Sequence, residues 1–316
     1  MKNIFRSNLF SLIIILLQII LATFIGFISK THNFSTTQLL VFSDIFILLI
    51  PIIIYFIITK YPVKITLRLN KPSIYAIIIS IILGFLFIPI GSFLGMITSL
   101  FFKNNVVNIM NKLSLSSSIT FFIIVALLPA IFEELAVRGV ILGGYRSVSI
   151  HKAAIITGLI FALFHMNPPQ FLYTFVLGII LAYLVYYTNS IFSSMIVHFI
   201  FNGFNSLAFL YIKNTNPKLI EKSASSSQSL SIIVTYFIIA LMCTVAIVKL
   251  LKYLKNIHEN HNYYIKDENE YNYMSHSQYY SKVGTFKAYL PLYISIAIFL
   301  AFSIFTQIMT SAGFSK

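Results

Sequence analysis

The chain has 316 residues, 58% hydrophobic and only 9% charged, with a mean hydropathy of +0.89. Soluble domains carry roughly a quarter charged residues, so no ordinary water-facing surface can be built here, and the composition is that of a polytopic membrane protein. Lys and Arg outnumber Asp and Glu by 22 to 8, giving a net charge of +14. The basic residues sit mostly in short gaps between apolar runs, the positive-inside pattern, which points to a lipid bilayer and not to nucleic acid.

A helix that crosses a bilayer takes about 20 apolar residues. Nine stretches qualify, near 8–29, 38–58, 73–101, 117–142, 150–166, 169–188, 190–212, 230–251 and 288–312. No run alternates with period two over the length a membrane barrel needs. The expected fold class is therefore an all-α polytopic membrane protein with eight or nine transmembrane helices. Lys2 and Arg6 precede a first apolar stretch that is too long for a signal peptide and lacks a small-x-small cleavage site, so it reads as an uncleaved span. Asp44 is a lone acid in the second span, for which a nearby Lys or a snorkelling position is expected. Gly91/Gly95 and Gly139/Gly143 are G-x-x-x-G pairs suited to close helix contact. The fifth stretch is short and is ended by Pro168-Pro169.

Counting Lys and Arg in alternate loops gives 14 for the set that includes the N-terminus and 7 for the other, which places the N-terminus in the cytoplasm. Nine spans then put the C-terminus outside. The polar segment 252–287 reads as a solvated loop. Its His258, Glu259 and His261 form H-E-x-H and not the H-E-x-x-H that sets two zinc-binding histidines on one helix face. The Ser-rich stretch 223–229 is a linker. The lone Cys243 excludes an internal disulfide and a cysteine-based metal cluster. There is no internal repeat of the kind that builds many transporters.

Ionisable groups inside spans cost about 2.5–3.5 kcal/mol each near the bilayer centre, which makes them functional candidates. Asp44, Glu133 and Glu134 are the only acids before residue 221. Glu134 and Arg138 are four residues apart with the acid first, the better order for a helical ion pair. Glu133 lies about 100° round the helix and gets no partner from its own span; a carboxylate left alone in a low-dielectric cleft suits a general base. Phe161 and His165 close the fifth span, and His198 and Asn202, again four apart, share a face of the seventh. These groups compose a hydrolytic site: Glu133 takes a proton from water, His165 orients it, and Asn202 and His198 donate to the oxyanion of a peptide carbonyl. The same side chains also offer two His and one carboxylate, Glu133, His165 and His198, a set known from catalytic zinc sites. Spacing does not separate the two versions. Convergence carries a condition, since His165 falls at the far end of its span while Glu133 and His198 lie nearer the cytoplasmic ends of theirs. Either the fourth helix extends beyond the bilayer or the fifth starts deep within it.

Taken together, E-E-x-x-x-R, F-x-x-x-H and H-x-x-x-N, in this order on neighbouring spans, resemble the CAAX prenyl protease and bacteriocin-processing (CPBP, Abi) family of intramembrane endopeptidases, whose eukaryotic relative is the Ras-converting enzyme. The resemblance covers about 117–212, the middle third of the chain. It implies a four-helix catalytic core around a conical cavity, with 1–116 and 213–316 as flanking transmembrane helices. It also implies that Glu133 and His165 activate water and that His198 and Asn202 hold the oxyanion. A glutamic mechanism without a cofactor is preferred, with zinc as the alternative. The expected substrate is a small membrane-associated protein or peptide. The richness in Ile, Asn, Lys, Phe and Tyr suggests an AT-rich bacterial genome and hence a bacterial plasma membrane, where prenylated CAAX substrates are generally lacking. Two rival readings are a non-catalytic bacteriocin-immunity or partner-binding protein and a proton-coupled transporter. Other intramembrane proteases are disfavoured: there is no G-x-S-x-G, and no pair of Asp on separate spans.

Overall fold

The computed structural model describes residues 1–28, 34–102, 106–114, 116–217, 229–260 and 284–311. Most of the polar loop, including His261, and most of the Ser-rich linker lie outside the described residues. Regular structure among the described residues is helical throughout. The helices are α1 (Lys2–Ile28), α2 (Thr36–Thr59), α3 (Ile74–Ser99), α4 (Val106–Leu113), α5 (Ser118–Gly144), α6 (Ile150–Phe164), α7 (Phe171–Thr188), α8 (Ile191–Thr215), α9 (Leu230–Asn260) and α10 (Thr285–Ser311). Eight of them are long and apolar enough to cross a membrane; α4 and α6 are not.

Serine caps start three of the crossing helices. Ser35 forms a capping box with Gln38 before α2, Ser73 accepts from the Ala76 amide before α3, and Ser117 accepts from the Thr120 amide before α5. Each satisfies an amide that the first turn leaves without a helical partner. Prolines shape the interiors of α2 and α5. The stretches Asp44–Leu49 and Ile123–Leu127 are π-helical and lie just before Pro51 and Pro129. Proline has no N–H to give, and its ring crowds the carbonyl four residues back; a local widening relieves both. A third π-helical stretch, Leu135–Ile141, carries Arg138.

Helix α6 is short and ends before Pro168-Pro169, as the sequence indicated, and this bears on the convergence problem. It has only 15 residues, about 22 Å at ~1.5 Å per residue against a hydrocarbon core of about 30 Å. Met166 turns left-handed at φ 44°, and Asn167 is extended at φ −137°, ψ 104°, as a residue before proline prefers. The chain then reverses into α7. The fifth element is thus one arm of a hairpin, and its tip brings His165 down to the level of Glu133.

The two arms touch backbone to backbone. A Cβ on Gly178 would lie 2.6 Å from the Gly158 Cα. The G-x-x-x-G pairs do less than expected. Gly139 and Gly143 face chiefly Leu67 and Thr66, in the segment after α2, with Ile191 at the start of α8 also beside Gly139; Gly91 faces the Phe201 ring, and Gly95 has nothing within 4 Å.

One end of the bundle gathers the basic loops. Arg6 Nη1 donates to the Tyr61 hydroxyl (2.7 Å), Arg68 Nη1 to the Val185 carbonyl (3.2 Å) and Arg146 to the Ile65 carbonyl. The Ile191 amide donates to the Arg68 carbonyl (3.1 Å), and Asn70 Nδ2 to that of Asn189 (2.9 Å). The segment 60–72 therefore ties down the α5–α6 and α7–α8 turns together and fixes the heights of these four helices. Gly178→Ala should force the hairpin apart and cost about 1–3 kcal/mol, the range for overpacking, read as a fall of several degrees in the unfolding midpoint of the purified protein in detergent; an unchanged midpoint would show that the crossing has slack.

Candidate active site

Glu134 and Arg138 form the expected ion pair, with Arg138 Nη1 donating to Glu134 Oε1 at 2.9 Å and both side chains wholly shielded. The pair has further support. Arg138 Nη2 donates to the Gly178 carbonyl (3.2 Å). The guanidinium lies over the Phe161 ring, 4.4 Å from its centroid, a cation–π contact in a desolvated setting. The edges of the His165 and His198 rings flank the same phenyl at 5.0 and 5.7 Å. Phe161, quoted in the motif only as a spacer for His165, is the apolar partition against which three polar groups stack.

His198 differs from the expectation. Its Nδ1 lies 2.9 Å from Glu134 Oε1, the oxygen that also receives Arg138. A carboxylate paired with a guanidinium is an acceptor, so Nδ1 carries the hydrogen, and in the neutral ring Nε2 is a lone pair. That Nε2 faces Glu133 Oε2 at 3.8 Å. A neutral His198 therefore cannot donate to an oxyanion from Nε2; it does so only as imidazolium. His165 has the same tautomer for a different reason, because its Nδ1 meets the Phe161 carbonyl at 2.9 Å, which can only accept.

The two adjacent glutamates occupy different environments. The Glu134 side chain has no exposure, whereas that of Glu133 is 24% exposed and lines a cavity of about 410 Å³ together with His165, His198 and Asn202. All four residues assigned to the chemistry thus open onto one space, and Glu134 and Arg138 lie behind it. Gln170, Tyr173 and Asn205 line the same cavity. The sequence reading missed them; the signal for Asn205 was its i+7 spacing from His198, which puts it on the same helix face. Asp44 makes no ion pair among the described residues, so the expected Lys partner is not there. It lies close enough to feel the charge of Glu133.

A zinc site on Glu133, His165 and His198 requires the three to converge. Each imidazole keeps Nε2 for a cation, yet among the described residues no group of three His, Cys, Asp or Glu is arranged to hold a metal ion.

Residues 115–204 match the family model of the Rce1-like type II CAAX prenyl endopeptidases. The core of this chain is Rce1-like. All six assigned side chains lie within the matched segment, which spans less than a third of the chain. No curated protein and no solved structure matches the chain. The match implies a protease that works within membranes on peptide or protein substrates.

The buried pair yields an asymmetric expectation. Arg138→Leu alone leaves Glu134 charged in a sealed site and should cost about 3–5 kcal/mol, whereas Glu134→Leu combined with Arg138→Leu should recover much of that loss. Thermal unfolding of the two variants beside wild type measures the difference; equal losses would mean that the site admits water to the orphaned carboxylate.

Proposed function

We propose that the protein is an intramembrane endopeptidase in which Glu133 activates water against a peptide bond, without a metal. The observation that carries this reading is the meeting of Glu133, His165, His198 and Asn202 on a single cavity inside an Rce1-like core. A cavity of this size accommodates a short stretch of extended peptide, within the usual range of about 300–1,000 Å³ for ligand sites.

The roles follow from the tautomers. The Glu133 side chain is 24% exposed and faces the cavity, so the carboxylate is available to take a proton from water. His165, with Nδ1–H held by the Phe161 carbonyl, presents Nε2 as an acceptor that aligns that water. The hydroxide oxygen bonds to the carbonyl carbon as the C–O π electrons move to oxygen. The oxyanion accepts from Asn202 Nδ2–H and, when His198 is imidazolium, from its Nε2–H, with Glu134 balancing the ring's charge. Collapse breaks the C–N bond, and the proton held by Glu133 passes to the leaving amine. Each oxyanion donor of this kind contributes about 2.7–4 kcal/mol to transition-state stabilisation. Glu134 and Arg138 touch no reacting atom in this scheme and act by holding His198 in register.

Glu133→Gln keeps shape and removes the base. Cleavage of internally quenched peptides by purified protein in detergent should fall by about 10²–10⁴-fold in kcat, and wild-type cleavage should survive a chelator. Cleavage that persists in Glu133→Gln would reject the glutamate as base; cleavage lost to chelator and restored by zinc would reject the metal-free scheme.

A further inference from the structure

The hairpin tip that carries His165 interrupts helical bonding, and each backbone carbonyl released there needs a donor. The last turn of α6 supplies most of its own. The Phe161 carbonyl accepts from His165 Nδ1–H (2.9 Å), that of Ala162 from the His165 amide (3.3 Å) and that of Leu163 from the Met166 amide (3.1 Å). The Phe164 carbonyl is different, because its donor is Gln18 Nε2 of α1, at 2.7 Å. Past the turn, the Asn167 carbonyl takes the Gln170 amide (3.0 Å), but the Pro169 carbonyl again reaches outside the hairpin, to the hydroxyl of Thr98 in the last turn of α3. That hydroxyl lies 2.6 Å from Pro169 and farther from the carbonyls of its own helix, Leu94 at 3.1 Å and Gly95 at 3.0 Å. A hydroxyl has one hydrogen to give, and the shortest contact takes it. Two flanking helices therefore grip the tip, one at the residue before His165 and one four residues after it.

Gln18 is costly where it stands. It interrupts an apolar run from Leu12 to Ala22, and its Oε1 is buried with no hydrogen-bond partner among the described residues. An apolar side chain would suit α1 alone better, since an unpaired buried polar atom destabilises. What the amide adds is its bond to Phe164. Neither Gln18 nor Thr98 lines the catalytic cavity, and both lie outside the matched segment 115–204.

We infer that Gln18 and Thr98 are positioning residues for His165, holding the end of α6 where Nε2 meets the water beside Glu133. The role of that water rests on the endopeptidase reading; the grip on the tip does not. The Phe161 carbonyl that fixes the His165 tautomer belongs to the same last turn. When Phe164 and Pro169 are released, that turn is free to fray, Nδ1–H loses its acceptor and Nε2 loses its direction. The clamp does for His165 what the Glu134–Arg138 pair does for His198. Its loss falls on alignment, while the walls that hold a peptide stay in place, so the effect belongs in kcat and not in KM.

Thr98→Val and Gln18→Met keep side-chain size and remove the donor. In cleavage of quenched peptides in detergent, referred to folded protein, each should lower kcat about 10–100-fold with little change in KM, the scale of a misplacement near 1 Å. Thr98→Ser, which keeps the hydroxyl, should retain wild-type kcat. Imidazole nitrogen NMR on histidine-labelled protein gives a readout that needs no turnover, with the His165 signal assigned by its loss in His165→Ala. Wild type should show Nδ1–H alone for the neutral ring, and both donor-less variants a mixture of tautomers. An unchanged His165 signal, or an unchanged kcat in an active protein, overturns the inference and leaves the protease intact. A loss of kcat that Thr98→Ser shares reduces the Thr98 contact to packing and overturns it too. Wild type that cleaves no peptide, while the His165 signal shifts in the variants as expected, overturns the endopeptidase reading and keeps the clamp.

Discussion

A single carboxylate oxygen, Glu134 Oε1, organises the centre of this protein. It receives Arg138 from its own helix and His198 from α8, each at 2.9 Å. Two such bonds in a medium without water are stronger than in solution, and the same low dielectric makes the loss of either expensive. The consequences run outwards from that atom. The guanidinium, pinned by Glu134, lies on Phe161 and reaches the Gly178 carbonyl, which ties α5 to both arms of the α6–α7 hairpin. The imidazole, pinned by Nδ1, has one tautomer and one direction for Nε2. One buried acid thus sets the relative positions of α5, α6, α7 and α8 and also the protonation geometry of a neighbour that faces the cavity.

This arrangement explains why two adjacent glutamates are not redundant. Successive residues on a helix point about 100° apart, so a pair of acids in a span cannot share an environment. One turns into the packed interior, where it survives only with partners; the other turns to the cavity. Their separation of roles requires no special backbone. What α5 adds is local π-helical winding on both sides of the pair, Ile123–Leu127 and Leu135–Ile141. π segments of this kind are frequent at functional sites, and here the first has an evident cause in Pro129. The second contains Gly139, whose missing side chain admits Leu67 from the segment after α2.

The sequence made part of this legible. Charged and polar groups are rare in spans, so Glu133, Glu134, Arg138, His165, His198 and Asn202 stand out against an apolar background, and four-residue spacing reports which of them share a face. The apolar runs mark most of the helices to within a few residues, although α9 continues to Asn260, into the segment read as a solvated loop. What spacing along one helix does not report is how helices meet. The Gly158–Gly178 crossing joins two glycines on different helices and belongs to no G-x-x-x-G pair, whereas the pairs that do exist pack mostly elsewhere. The tautomer of His198 was hidden for the same reason, because it depends on a contact between residues 64 positions apart. Composition likewise marked 150–166 as a short stretch ended by Pro168-Pro169; its packing against α7 and the turn at Met166–Asn167 show that it is one arm of a hairpin.

The early end of α6 is what leaves room for a cavity beside Glu133. A full-length fifth helix would carry His165 about 8 Å beyond the level of Glu133, the difference between a full span and 15 residues at ~1.5 Å per residue. Ending the helix early brings His165 to the acid and leaves the space above it, between α3, α5, α7 and α8, without a filling helix. Non-helical backbone at membrane depth is tolerated where it is buried in protein or lines a polar cavity, and the hairpin tip meets that condition: the Pro169 carbonyl accepts from Thr98 of α3 at 2.6 Å, while Gln170 and Tyr173 line the cavity. The cavity, the polar turn beside it and the position of His165 are therefore one structural decision, made by the Asn167-Pro168-Pro169 stop. The ion pair beneath then seals the floor, so that water admitted from one end reaches Glu133 and goes no further.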